Sequence, residues 1–211
     1  LAAALVVATP VTATPAFAQE PSIWALVIND EPQGDIEILL TADIQAAFAE
    51  PTRLTDEGRV LIHPFDDPQV AAGQGTVGLE ILRDWPDAEV VVVPIGGGGL
   101  ISGIAQAVKA VKPAMKVVGV ESSGAPGMYD SVEAGQVVTL DRVDCIIDGL
   151  RVKRVGETTF EVVRRFVDQI VTLPDEQIFD GMLWVMHHAK LVVEGAAAAP
   201  VAALLHGLIE A

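Results

Sequence analysis

The chain has 211 residues, 51% hydrophobic and 20% charged, which excludes a disordered polyelectrolyte and allows one substantial domain, or one domain with part of another. A formal net charge of −16 repels polyanions, so nucleic acid is not an expected partner. The single cysteine, Cys145, excludes an internal disulfide; inside the apolar run Val143-Asp-Cys-Ile-Ile it reads as a small packed hydrophobe in a reduced, cytoplasmic setting.

Leu1–Ala18 is uncharged and ends in Ala16-Phe17-Ala18, the pattern of a secretory cleavage site. Pro10 and Pro15 interrupt it and no basic region leads it, so neither a signal nor a membrane-spanning helix is the favoured reading. Leu5–Ala8 predicts a short strand, Pro21–Asn29 a helix and Asp35–Leu40 a strand. Ile44, Ala47, Phe48 and Leu54 give Thr41–Glu57 helical spacing, broken by Pro51. Val60–Ile62 predicts a strand before the turn His63-Pro-Phe-Asp-Asp-Pro68.

The signal is stronger beyond Arg59. Thr76–Asp84 predicts a helix closed by Trp85-Pro86, and Val90–Val93 a strand buried on both faces. Leu100–Val111 predicts a helix and Lys116–Val120 a strand ending at Glu121. Helices are expected over Gly127–Ala134 and Thr158–Phe166, then a strand over Gln169–Leu173. Asp175–Val193 and Ala196–Ile209, the latter containing Pro200, complete the helices. Strands alternating with helices mean βαβ units and a mostly parallel α/β sheet, with no internal repeat.

The stretch that carries chemistry is Val90–Gly103, a buried strand running through Gly96-Gly97-Gly98-Gly99 into a helix. Residues without Cβ let the backbone turn sharply and approach an anion, and the helix start offers unpaired N–H groups and a positive dipole end. The spacing is neither that of a nucleoside triphosphate loop nor of a dinucleotide fingerprint, and it suits a compact phosphate monoester. A plain flexible turn is the alternative. Gly73-Gln-Gly-Thr76 reads as a weaker glycine turn opening a helix. Other candidates have structural readings beside functional ones. Glu121 is a solvated strand-end acid, Glu194 a helix cap, Asp148-Gly149 a turn, and Glu157 and Asp175 acids at helix starts. His187 and His188 lie mid-helix about 100° apart, so they do not share an ion easily.

Six segments occur in order: His63-Pro-Phe-Asp-Asp, Ala72-Gly-Gln-Gly-Thr-Val-Gly-Leu-Glu80, Gly96-Gly-Gly-Gly-Leu-Ile-Ser-Gly103, Gly119-Val-Glu121, Ile147-Asp-Gly149 and Val193-Glu-Gly-Ala196. Together they resemble the threonine/serine dehydratase (threonine ammonia-lyase) family, to which serine racemase is related, over roughly residues 59–210. The resemblance implies the tryptophan-synthase-β-like, type II fold of pyridoxal phosphate enzymes. Residues 59–211 would be an incomplete large domain, and 1–58 a partial or degenerate small domain or an unrelated leader.

It further implies pyridoxal 5′-phosphate held through Gly96, Gly97, Gly98, Gly99 and Leu100. The implied reaction is deamination of threonine or serine to a 2-oxo acid and ammonia, as in isoleucine biosynthesis, in a cytoplasmic homodimer. The alternatives are a serine or aspartate racemase and a non-catalytic phosphate-binding pseudoenzyme. Glu194 would lie near the cofactor as an accessory catalytic group. A divalent cation would sit on Glu121 and the Ala125 carbonyl, although Gly127 lacks the carboxylate expected there. The family's lysine motif, Ser-x-Lys-x-Arg-Gly-like, is absent and the first lysine is Lys109. The Ser-Gly-Gly-Asn-like segment is absent too, so the chain reads as an internal fragment, inactive alone.

Overall fold

The computed structural model describes the strands Ile23–Ile28 and Ile36–Leu40 and residues 62–209. Contacts divide the chain into one compact unit within residues 5–62 and a second containing residues 63–211. In the first, β1 (Ile23–Ile28) pairs antiparallel with β2 (Ile36–Leu40), with Leu26 opposite Ile38 and Ile28 opposite Ile36. The strand expected over Asp35–Leu40 is present. The helix expected over Pro21–Asn29 is not: Ile-Trp-Ala-Leu-Val-Ile is rich in β-branched and aromatic side chains, and a paired strand wins over helical spacing. The expectations for Leu5–Ala8, Thr41–Glu57 and Val60-Leu61 lie outside the described residues.

The second unit opens with α1 (Pro68–Asp84), which begins earlier than expected. Asp67 caps it, Oδ1 accepting from the amides of Gln69 and Val70 at 2.7 and 3.2 Å, and Pro68 fits the first turn because its missing N–H is not needed there. Gly73-Gln-Gly-Thr76 therefore lies inside a helix and does not open one. Then follow β3 (Val90–Pro94), α2 (Gly99–Val111), β4 (Lys116–Ser122) and α3 (Gly127–Ala134). A 3-10 turn (Asp148–Leu150), α4 (Glu157–Phe166), β5 (Gln169–Leu173), α5 (Asp175–Ala189) and α6 (Gly195–Leu205) complete the unit. α5 stops short of the expected Val193 because Lys190 turns left-handed, φ 58°, and its ammonium donates to the His187 carbonyl.

The three strands form a parallel sheet in the order β3-β4-β5, with Val92 opposite Val118 and Val120 opposite Val171. Successive side chains point to opposite faces. Val91, Val93 and Val117 pack with Ile101, Ile104 and Val108 of α2 and Phe160 and Val163 of α4. Val118 and Val120 pack on the other face with Ile178 of α5 and Ala198, Ala199 and Ala202 of α6. A sheet buried on both faces by helices is the expected α/β architecture, and it fixes where β3 ends and α2 begins. Among the described residues no helix is long and apolar enough to cross a membrane.

The helices α1 and α2 touch backbone to backbone. A Cβ on Gly103 would run into the carbonyl of Ala71 and lie 2.5 Å from the Gly75 amide; one on Gly78 would lie 3.1 Å from the Ile104 carbonyl. Gly75 and Gly78 of the Ala72–Glu80 segment thus serve helix packing. Gly103→Ala is expected to destabilise the chain by about 1–3 kcal/mol, since backbone cannot give way. Gly73→Ala, with open space around it in the same helix, is expected to stabilise by about 0.5–1 kcal/mol. Urea unfolding of the two variants checks both signs.

Candidate functional site

The carboxyl end of β3 is tied down first. The Ile95 amide donates to the Val120 carbonyl at 2.8 Å, so the glycine loop starts from a fixed point on β4. The Gly97 carbonyl accepts the Thr159 hydroxyl at 2.7 Å and the Gly156 amide at 3.3 Å, both from the start of α4. Gly98 adopts φ 95°, a left-handed conformation that disfavours any side chain. Its carbonyl accepts the Ser102 amide at 3.0 Å, which begins α2.

Planar trans peptides send each N–H opposite to the preceding carbonyl. With the Gly97 carbonyl held by α4 and the Gly98 carbonyl aimed along α2, the Gly98 N–H points opposite to the first and the Gly99 N–H opposite to the second. None of the amides of Gly96–Leu100 donates to a protein group among the described residues. Gly97, Gly98 and Gly99 are nevertheless buried. α2 has no side-chain cap and no acid in its first turn. A buried row of unpartnered donors at the positive end of a helix is unfavourable until an anion or water accepts from it. The donor set fits a phosphate group.

The glycines have a second reason to be glycine. A Cβ on Gly96 would run into the Gly149 carbonyl, one on Gly97 into the Phe65 ring and one on Gly99 into the Phe65 backbone. At Gly98 it would lie 2.7 Å from the Met128 methyl and 2.8 Å from Thr159. The protein presses on the loop from its Cβ side, which leaves the N–H side for a ligand. Gly149 rests in turn on Ala196, and Gly195 on Ile147. The segments around Phe65, Gly96–Gly99, Gly149 and Ala196, separate in sequence, therefore meet at one place.

The remaining candidates separate. Glu121 is 1% exposed, which overturns the solvated reading. Its two carboxylate oxygens accept the amides of Met128 and Tyr129, each at 2.8 Å, capping α3, and burial pushes its carboxyl up to about 8. Both oxygens are engaged, Gly127 supplies no carboxylate, and among the described residues no cluster of three His, Cys, Asp or Glu is placed to hold an ion. This donor set does not fit a hard cation on Glu121 and the buried Ala125 carbonyl.

Glu194 is exposed at the N-cap of α6 and makes no side-chain cap bond, so the cap reading fails. Asp175 does more than favour a dipole: its carboxylate accepts the Ser122 hydroxyl at 2.6 Å and the Ile146 amide at 2.7 Å. Glu157 pairs with Arg154 in the first turn of α4. His187 and His188 lie in the last turn of α5, where His188 stacks on Trp184. Cys145 is buried, with its thiol pushed up by burial. Lys109, first lysine of the chain, sits near the far end of α2 and pairs with Asp168 at 2.7 Å, while Lys112 caps the carbonyls of Pro86 and Ala88.

Two residues of the site had no role assigned from the sequence: Thr159, and Asp66, which stood only as part of the His63-Pro-Phe-Asp-Asp segment. The Asp66 carboxylate accepts the amides of Glu157, Thr158 and Thr159 at 3.0, 2.9 and 3.4 Å. The usable signal was Gly156, which opens α4 with no side chain to cap it. A cavity of about 310 Å³ lies between α1, α2 and α4, lined by Phe65, Gly75, Ser102, Gln106, Thr159 and Val162. No residue of Gly96–Leu100 lines it, although Phe65 and Thr159, which brace the loop, do.

Glu121 sets a pH dependence. Below its ordinary value of 4.5 folded and unfolded chains both carry the proton. As pH rises towards 8 the unfolded chain ionises while the buried carboxyl stays protonated, so stability is lost across that window. Burial lowers the pKa of His63, which gives the opposite slope near 6.5, and comparison with a variant removes it. The thermal midpoint is expected to fall on the order of 5 °C more between pH 5 and 8 in the parent chain than in Glu121→Gln.

Comparison with known proteins agrees with this geometry. A family model described as "Pyridoxal-phosphate dependent enzyme" matches residues 30–211. The chain is 44% identical over 174 residues to the L-threonine ammonia-lyase of Thermotoga maritima, covering 82% of this chain and 43% of the relative. It is 46% identical over 154 residues to the catabolic L-threonine dehydratase TdcB of Escherichia coli K12, covering 73% of this chain and 47% of the relative. The chain thus spans less than half the length of these relatives. The threonine deaminase of Solanum lycopersicum, isoform 2 in its processed form, superposes with a TM-score of 0.73 at 37% identity, over 75% of this chain and 47% of that one. Maize serine racemase superposes with a TM-score of 0.74 at 39% identity, over 78% and 52%. With residues 30–211 matched and the type II α/β sheet in place, the chain belongs to the pyridoxal-phosphate dependent enzyme family.

Proposed function

We propose that this chain supplies the coenzyme-phosphate grip and the adjoining cleft of a pyridoxal-phosphate dependent threonine ammonia-lyase. The observation that carries the reading is the row of amides from Gly96 to Leu100 at the uncapped start of α2, which has no acceptor among the described residues and is buried at Gly97, Gly98 and Gly99. These N–H groups would hold the phosphate, with α2's dipole adding to the attraction. When bound, the coenzyme supplies a ring that draws electrons from the amino acid attached to it and acidifies its Cα–H bond. Phe65 holds the loop from behind, and Gly149 with Ala196 shapes the neighbouring wall.

A grip of this kind serves elimination and racemisation alike. The names of the 44–46% identical relatives favour threonine and elimination over a serine or aspartate racemase. An exposed Glu194 beside Gly195 belongs to the same reading as an accessory group at the cleft edge. A homodimer in a cytoplasmic setting belongs to it as well, supported by the exposed apolar side chains Phe179, Leu183, Trp184 and Met186 on α5. With the threonine/serine dehydratase family's lysine motif absent from the sequence, the 211-residue chain alone is expected to bind the coenzyme phosphate without turning over threonine.

Two measurements test this. Replacing the matching stretch of the Thermotoga maritima L-threonine ammonia-lyase with residues 63–209 of this chain is expected to leave threonine-dependent 2-oxo acid release. A chimaera that folds and releases none overturns the lyase reading. Gly98→Ala in this chain, placing a side chain at φ 95°, is expected to weaken pyridoxamine 5′-phosphate binding at least tenfold by calorimetry, about 1.4 kcal/mol or more. Unchanged binding overturns the grip.

A further inference from the structure

We infer that Thr159 and Asp66 are positioning residues for phosphate capture, acting together through α4 to aim the glycine amides. The inference rests on the phosphate-grip reading above and deepens it.

The geometry comprises two linked steps. The Thr159 hydroxyl is 1% exposed and has the Gly97 carbonyl as its nearer acceptor at 2.7 Å, with the Gly156 carbonyl at 3.1 Å. Holding the Gly97 carbonyl on α4 turns the N–H of the same peptide plane, that of Gly98, to the opposite side. The hydroxyl thus fixes the direction of a donor whose own partner comes from outside the protein. Thr159 can do this only if the first turn of α4 stays in register. That turn begins at Gly156 with no side-chain cap of its own, and Asp66 supplies the cap from a loop 91 to 93 residues earlier in the chain.

Asp66 has an electrostatic role as well. The starts of α2 and α4 meet at Gly97, and each presents free N–H groups and a positive dipole end. Asp66 occupies α4 with a carboxylate. α2 has neither cap nor acid. An incoming phosphate therefore finds one vacant helix start and one already neutralised. Phe65 and Asp66 divide the work: the ring backs Gly97, and the carboxylate clamps the helix that holds the Gly97 carbonyl. A Cβ on Gly156 would lie 2.5 Å from the Asp66 carboxyl, which accounts for glycine at that cap.

The test uses the 211-residue chain and two probes, pyridoxamine 5′-phosphate and pyridoxamine, neither of which needs a lysine to bind. The ratio of their dissociation constants isolates the phosphate, so a general loss of stability moves both and leaves the ratio unchanged. Thr159→Val is expected to cut this ratio about tenfold, and Thr159→Ser, which keeps the hydroxyl, to stay within about twofold of the parent chain. Asp66→Ala is expected to cut it about tenfold and Asp66→Asn, which keeps one acceptor oxygen, less. Should Asp66→Ala fail to fold, the Thr159 pair decides. A large ratio in the parent chain that neither Thr159→Val nor Asp66→Ala lowers overturns the positioning roles and leaves the grip standing. A ratio near one in the parent chain overturns the grip, and the positioning roles with it.

Discussion

The structure depends on a set of hydrogen bonds that the protein leaves unmade. Five consecutive amides, Gly96 to Leu100, have no protein acceptor among the described residues, and three of these residues are buried. Buried N–H groups are nearly always paired, because an unpaired one costs about 1–3 kcal/mol. A row of them persists only where surrounding structure over-determines the backbone. Here the determinants are external to the loop: β4 fixes Ile95, α4 fixes the Gly97 carbonyl, and Phe65, Gly149 and Met128 fill the space where side chains would otherwise project. The sheet and its two helix layers exist, from the viewpoint of the site, to hold this strand-to-helix junction still.

That arrangement explains how a chain of net charge −16 can receive an anion. Long-range charge is unfavourable and screened beyond roughly 8–10 Å in salt, whereas helix-end dipoles and aimed amides act at contact. The nearby acids are engaged internally. Asp66 closes α4, Glu121 closes α3, and Asp175 ties the end of β4 to the segment before the 3-10 turn. Each acid that completes a neighbouring helix or loop is also one withheld from the vacant start of α2.

Most of the second unit was legible in the sequence. Continuous valine runs at Val90–Val93 and around Val117–Val120 name buried parallel strands, and glycines after a strand name the loop. Where reading failed, the deciding contact was distant. The segment Pro21–Asn29 has mixed spacing, and pairing with β2 makes Ile23–Ile28 a strand. Gly73-Gln-Gly-Thr76 looks like a turn until α2 is laid against it, whereupon Gly75 and Gly78 are seen to lie where the two backbones approach closely. Glu121 looks like a solvent-facing acid at a strand end because nothing local announces that the amides of α3 fold over it. Asp66 and Thr159, 93 residues apart, have no meaning separately. The family motifs named the loop; its orienting bonds come from residues outside the glycine run.

The most direct measurement follows the backbone amides themselves. In an isotope-labelled chain titrated with pyridoxamine 5′-phosphate, the resonances of Gly97, Gly98, Gly99 and Leu100 should shift most and move downfield as they gain an acceptor, while the amides of Glu157 and Thr158, already held by Asp66, stay in place. If the ligand instead shifts the start of α4, or binds while the glycine resonances stay where they are, the loop is not the phosphate site.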